Sequence, residues 1–342
     1  MKNIGYAGLS IVLSLAFAAP ALSQQPQPSA AETACNGKYT KFYGAQKDMT
    51  LFNDFVNDPT CKDSMYREGA FQLMAQGLVQ AMNWKGAVDL SDRMLKDFPT
   101  ASATGKHYVY TQGLTGASQL GDVDKMIDHG DRVLTIKADD LNAMLIVATT
   151  IPDKLSTDAA AKDKEKLMDR AVELAKKLLA ATKPAPVDEK TWNLQVQGPA
   201  HGVIGFVQLQ KEKFEDAEAE YDQAVKINPK DQMSWYRYGL AATKIAIAAQ
   251  KLIQPAYDEV NNNRTPGPER DAAIAKRDAV VKDFNEKSAK AIDIFVSAVA
   301  LPDAAIAKAA RTSLESLWKA ANNNTLDGLE DAIAKRKAEL NK

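Results

Sequence analysis

Residues 198–229 constrain the fold of this chain more than any other stretch, and their second half, FEDAEAEYDQAVKINP (214–229), does most of it. Phe214, Ala217, Tyr221, Ala224, Val225 and Ile227 recur at spacings of three and four, which places them on one stripe of a helix about four turns long. Ala217 and Ala224 lie a heptad apart, so a second helix can approach closely at two successive levels. Glu215, Asp216, Glu218 and Glu220 crowd the start, where the helix dipole favours negative charge. Pro229 forbids continuation, and the next segment opens with Trp235 and Gly239.

This order resembles the tetratricopeptide repeat, a helix–turn–helix unit of 34 residues with an aromatic–Ala–Pro second helix. Counted from Gly198, Gly205 takes the small position of the first helix. Phe214, Ala217, Tyr221, Ala224 and Pro229 then fall in phase along the second, and Trp235 and Gly239 fall in phase in the following repeat. His201 and Gln208 depart from the usual Trp and Tyr of the first helix. A helical hairpin that merely shares the spacing is the plainer alternative. The resemblance spans about two thirds of the chain and is strong only in 68–99 and 198–239. It implies an all-α, right-handed superhelical solenoid of helical hairpins.

Composition agrees with that class. Of 342 residues, 45% are apolar and 25% charged, as in a folded soluble protein, and Ala, Leu, Lys, Glu and Asp dominate while alternating strand-like segments are nearly absent. A net charge of −1, spread along the chain, gives no long-range attraction to nucleic acid or anionic lipid.

The start reads as an export signal: Lys2, a short apolar run at 11–19 and the small-x-small site Ala21-Leu22-Ser23, with cleavage expected after Ser23. An uncleaved anchor is the alternative, although the run is shorter than a bilayer span. After cleavage no integral membrane segment is expected, and the location is periplasmic or secreted. Residues 24–34 read as a disordered leader and 35–65 as an N-terminal helical segment. The only cysteines, Cys35 and Cys61, read as a disulfide in an oxidising compartment, with two unpaired buried thiols as the alternative.

Residues 66–240 read as the repeat array. In 82–99, Trp84, Ala87, Met94 and Pro99 hold the second-helix order, after a first helix at 68–80. Helices follow at 106–120 and 123–136, joined at Gly121-Asp122. There Met126 and Gly130 stand where Ala and an aromatic are usual, so the repeat is degenerate. A helix from 140 is expected to stop at Pro152, before a polar insertion at 153–163. Another runs over 164–180, and the helix at 190–210 is expected to break or begin afresh at Gly198-Pro199. Residues 241–342 read as degenerate repeats and capping helices, with Pro255 kinking or ending one helix, a loop at 261–268 and one long helix at 269–301. Helices at 303–321 and 326–341 close the chain.

No catalytic motif, phosphate loop, metal-ligand spacing or cofactor signature is present in the sequence. His107, His129 and His201 lie far apart, each on an expected helix, and the carboxylate runs read as solvated helix faces. The chain is therefore expected not to be an enzyme and to need no cofactor or metal. The resemblance implies binding in the groove lined by the first helices. Carried over, its positions are Gln72, Gln76 and Gln80; Tyr108, Thr111, Thr115 and Gln119; Phe206 and Gln210; and Met233, Tyr236 and Lys244. About half of these are expected to be packing residues, Phe206 and Leu209 foremost. The function expected is a scaffold or adaptor binding a protein or peptide, with no nucleic-acid partner. The alternatives are a structural envelope subunit or homo-oligomer, and a carbohydrate- or nutrient-binding component.

Overall fold

The computed structural model describes residues 29–45, 48–157 and 163–341. The expected signal sequence and its cleavage site lie outside them. The described residues are all-α, and the chain divides into two compact units, Met1–Ala161 and Lys162–Lys342. The stretch expected as one array, 66–240, is thus shared between two units.

The first unit opens with α1 (Ala30–Gly44), α2 (Met49–Val56) and a 3-10 turn at Pro59–Cys61. Cys35 of α1 is bonded to Cys61 of that turn, S–S 2.09 Å, as one of the two readings anticipated. The helix α1 lies mostly in the segment read as helical from 35, but it begins at Ala30, inside the stretch read as a disordered leader. Its buried side chains are only Cys35 and Phe42, too few to raise a periodic signal in a polar sequence. Phe42, Phe52, Phe55 and Phe71 close over the disulfide, each at most 1% exposed, with Phe52 edge-on to Phe71 at 5.2 Å.

Four helices follow as two hairpins: α3 (Arg67–Gln80) with α4 (Trp84–Asp97), and α5 (Ala103–Leu120) with α6 (Val123–Ile136). Then α7 (Leu141–Thr157) packs on α6. Side-chain caps start most of these helices: Asn83 accepts from Gly86 N, Ser102 from Gly105 N and Asp122 from Lys125 N. Within each hairpin one left-handed residue ends the first helix, Met82 (φ 55°) and Gly121 (φ 67°). The next N–H then reaches back five residues, from Asn83 to Leu78 O and from Asp122 to Ala117 O.

The helix α7 does not stop at Pro152 but runs on to Thr157. Ile151, Pro152 and Leu155 are all buried, and that burial outweighs the hydrogen bond Pro152 cannot give.

The second unit holds α8 (Lys164–Ala180), α9 (Glu189–Trp192), α10 (Gly198–Gln210) and α11 (Phe214–Ile227). The expected break at Gly198-Pro199 is a π turn instead, Asn193–Gln197, in which Gly198 N bonds to Asn193 O. Widening the helix by one residue accommodates the missing N–H of Pro199 without ending it. The α10–α11 turn repeats the pattern of the first unit, with Glu212 left-handed (φ 56°) and Lys213 N on Gln208 O.

Next come α12 (Gln232–Gln250) and α13 (Ile253–Asn262), separated just ahead of Pro255, and both pack along α14 (Pro268–Ala300). Gly239 is where α12 meets α14, since a Cβ there would lie 2.7 Å from the buried Phe295 ring. The unit ends with α15 (Ala304–Ala321) and α16 (Leu329–Leu340). Ala217, Tyr221, Ala224 and Val225 are all buried, as the stripe on α11 requires. Among the described residues, no helix is long and apolar enough to cross a membrane.

Candidate functional site

Charge is sorted between the helices of the first unit. The second helices of the hairpins are dense with it: α4 carries Lys85, Asp89, Asp92, Arg93, Lys96 and Asp97, and α6 carries Asp124, Lys125, Asp128, Asp131 and Arg132. The helices α3, α5 and α7 carry charge only near their ends. These residues are Arg67 and Glu68 on α3, Lys106 on α5, and Asp153 and Lys154 on α7. Arg67 is buried over the Phe98 ring, and Glu68 accepts from Ser102 N (2.8 Å) and Oγ (2.6 Å) at the start of α5. The second unit repeats the contrast, with no Asp, Glu, Lys or Arg on α10 and six such residues on α11: Glu215, Asp216, Glu218, Glu220, Asp222 and Lys226. Much of α3 and α5 is buried against neighbouring helices, and their uncharged spans follow that burial.

The groove residues expected from the sequence fall in both units. On α3, Gln76 and Gln80 are exposed and Gln72 is half-buried, and none of the three amides bonds to another described residue. On α5, Gln119 is exposed while Tyr108, Thr111 and Thr115 are half-buried. Both threonine hydroxyls donate to their own helix, Thr111 to His107 O at 2.8 Å and Thr115 to Thr111 O at 3.0 Å. They can therefore only accept from a partner. Tyr108 packs on the core of the first unit, and burial raises its phenol pKa.

In the second unit Phe206 is not a surface residue. It is 4% exposed and lies under the Arg237 guanidinium at 4.7 Å, so it belongs to packing. Gln210 accepts from Lys164 at 3.1 Å, and Tyr236 packs beside Phe295. Met233 is half-buried and Lys244 exposed. The row Gln72, Gln76 and Gln80 is the part of the expected set that keeps free hydrogen-bonding capacity in one line.

Sequence reasoning missed a row of tyrosines beside it. Tyr39 stacks on Tyr66 at 4.9 Å and 16°, and Tyr43 lies 6.1 Å from Tyr39 with 53% of its surface exposed. Burial, then the neighbouring Tyr43 and Tyr66, raise the Tyr39 phenol pKa. The i, i+4 spacing of Tyr39 and Tyr43 was the available signal.

Each histidine meets a carboxylate on a neighbouring element: His107 and Asp140 at 3.0 Å, His129 and Asp92 at 3.7 Å, His201 and Glu220 at 2.7 Å. Around His129 the ligand-type atoms of Asp92, Asp128 and His129 come within 4.8 Å of one another. Arg132 forks between Asp92 and Asp128, and Lys125 holds the other oxygen of Asp92 at 2.7 Å. Those two carboxylates are neutralised by two cations, so the group works as an ion-pair network joining α4 to α6. His129 is fully buried, with Ser91 Oγ on Nδ1 at 3.0 Å. Burial first, then Arg132, push its pKa down to about 4.

An open cleft of about 650 Å³ lies between α13 and α14, lined by Tyr257, Arg277, Val281 and Asn285 among others. Arg277 is spent there on Asp278 (2.6 Å) and on the Tyr257 ring (5.5 Å). The cleft offers no convergent set of free polar groups.

No protein-family model matches the chain, and no curated protein sequence matches it. Among solved structures, a tetratricopeptide repeat protein from Parabacteroides merdae aligns with 84% of this chain and 99% of its own, at 10% identity and a TM-score of 0.34.

Proposed function

We propose that the chain is a non-enzymatic protein-interaction scaffold or adaptor of tetratricopeptide type, working in the periplasm or outside the cell. The observation that carries this is the sorting of charge. The helices that begin each hairpin keep an uncharged, amide- and hydroxyl-bearing surface, while their partners hold the ion pairs and the solvent. The repeated left-handed turns at Met82, Gly121 and Glu212 support a repeat architecture. The in-phase pattern from Phe214 to Gly239 supports the tetratricopeptide type. Export is supported by the buried Cys35–Cys61 bond together with the signal-like start of the sequence.

The test is cross-linking in the native envelope fraction through a photoreactive residue placed at Gln76 or Gln119. One dominant foreign protein is the expected product. Self-cross-links alone would turn the reading into a homo-oligomeric structural subunit, and no product above background would reject an interaction surface on α3 and α5.

A further inference from the structure

We infer that the seam between α4 and α6 is a proton-operated clasp: on taking up a proton, His129 takes over Asp92, and Arg132 is released towards solvent. One oxygen is contested. Asp92 Oδ1 accepts from Arg132 at 2.7 Å, and His129 Nε2 stands 3.7 Å from that same atom, beyond hydrogen-bond range. Among the described residues Nε2 has no hydrogen-bond partner, although the ring is fully buried, a costly arrangement that protonation relieves. The other ring nitrogen, Nδ1, lies 3.0 Å from Ser91 Oγ. A charged imidazole donates from both nitrogens. The acid form therefore has an acceptor on each side, Ser91 Oγ already in place and Asp92 Oδ1 a shift of about 1 Å away.

The balance of charge sets what must move. His129 is faced by Ser91 and Asp92 of α4 and by Lys125, Asp128 and Arg132 of its own helix. The helix α5 meets it with Gly113, and α7 meets the neighbouring Gly130 with Val147. With His129 neutral, two cations balance two carboxylates. A proton sets three cations against two, and the surplus is tolerated only near water. Arg132 is the cation able to leave. Its second branch already holds Asp128 at 2.5 Å, and that carboxylate is 47% exposed, so Arg132 gives up Asp92 without becoming unpaired. Lys125 keeps the other oxygen of Asp92 at 2.7 Å. Burial works against the charge of Asp92, but the bonds from Lys125 and Arg132 prevail and lower its pKa, so it enters the exchange ionised. The exchange reaches α5 at two points. Gly113 rests on the pair, where an added Cβ would lie 2.5 Å from Ser91 Cβ and 3.0 Å from His129 Nδ1, and the Tyr110 ring lies 5.8 Å from the Arg132 guanidinium. With the ion pairs as they stand, burial and then Arg132 hold the His129 pKa at about 4. Releasing Arg132 removes the second of these effects, so the clasp turns over above that value.

The test is an NMR titration of the full oxidised protein from pH 7 downwards, following the His129 ring and the hydrogen exchange of Arg132 Nε–H, with circular dichroism recorded alongside. His129 should titrate while the helices stay folded, and Arg132 exchange should speed up relative to the other arginines at the same midpoint. In Arg132→Gln the competitor is gone, and the His129 midpoint should rise by about one unit. In His129→Gln the Arg132 transition should disappear. Three results overturn the inference: titration of His129 only together with the loss of circular dichroism, an Arg132 side chain that does not respond at the His129 midpoint, or a midpoint unmoved in a folded Arg132→Gln. The first two are read on the unaltered protein, so a variant that fails to fold leaves the test intact. The scaffold reading stands or falls separately, since the clasp does not rest on it.

Discussion

Replacing Gln232 with Ala should destabilise the second unit by about 3 kcal/mol, although its side chain touches no charge and fills no large apolar space. The reason is a covalent one. In α14 the carbonyl of Ala298 would ordinarily accept from the residue four places on, and that residue is Pro302, which has no N–H. Gln232, 6% exposed at the start of α12, supplies the missing donor. Its Nε2 reaches Ala298 O at 2.8 Å, Leu301 O at 3.1 Å and Asp303 O at 3.1 Å, and its Oε1 accepts from Asp303 N at 2.7 Å. One amide therefore stitches the end of α14 to the start of α15 across a turn where neither helix can bond itself. Truncation leaves at least the Ala298 and Leu301 carbonyls buried without a partner, at about 1–3 kcal/mol each. Asp303 N lies nearer the surface and regains water.

For a unit of this size the loss corresponds to a fall of roughly 6–12 °C in Tm. Urea denaturation followed through Trp235 and Trp318, with amide exchange across α15, measures both the loss and its location. The isosteric Gln232→Glu is the sharper case. It sets a carboxylate against three carbonyl oxygens, so at neutral pH it should be worse than Ala. The deficit should shrink on acidification, when the protonated acid regains one donor. A Gln232→Ala variant within about 0.5 kcal/mol of the parent, or a Glu variant tolerated at pH 7, would refute the argument.

The remaining predictions concern a buried histidine, a staple and two turns. His129 is held neutral with a pKa near 4, so the unfolded chain protonates first as pH falls below about 6.5. Stability should then decline by roughly 3 kcal/mol between pH 6.5 and 4, an upper estimate, and His129→Gln should flatten that slope in pH-dependent urea melts. Asp92, whose pKa is lowered, adds a loss of the same sign at lower pH. Reducing Cys35–Cys61, 26 residues apart, should cost roughly 3.5 kcal/mol by loop entropy. Amide exchange should show it first in α1 and α2. Met82→Gly and Glu212→Gly, each relieving a left-handed L-residue, should each stabilise by about 0.5–1 kcal/mol in denaturant melts. A loss at both would mean that their side chains work in the turn.

What the sequence disclosed and what it hid divide along one physical line. Features that a single helix settles for itself were legible. The stripe from Phe214 to Ile227 is a helix over those residues, 123–136 and 164–180 begin and end where their periodicity says, and the long helix near 269–301 is present. The failures all sit where a neighbour overrules a local preference. Pro152 lies inside α7 because Ile151 and Leu155 are buried on either side of it, and Pro199 is absorbed by a π turn. At Pro152 the breaker is a local cost and not a stop, whereas at Gly198-Pro199 the π turn ends and α10 begins afresh.

The same holds for the site. Phe206, named as a groove position but expected first among those to be packing, is indeed buried, under Arg237 of α12. Tyr39 and Tyr43 of α1 meet Tyr66 through tertiary packing, which no single helix announces. Gln72, Gln76 and Gln80 could be named from spacing alone. Which amides the fold consumes could not be read that way, and Gln232 shows why. On paper it is one more glutamine near a helix start, and only the missing N–H of Pro302, 70 residues downstream by number, makes it structural. A polar residue's role is thus set by whether the folded chain owes it a partner. Gln232 is consumed by the turn between α14 and α15, whereas Gln76 and Gln80 stay exposed on α3.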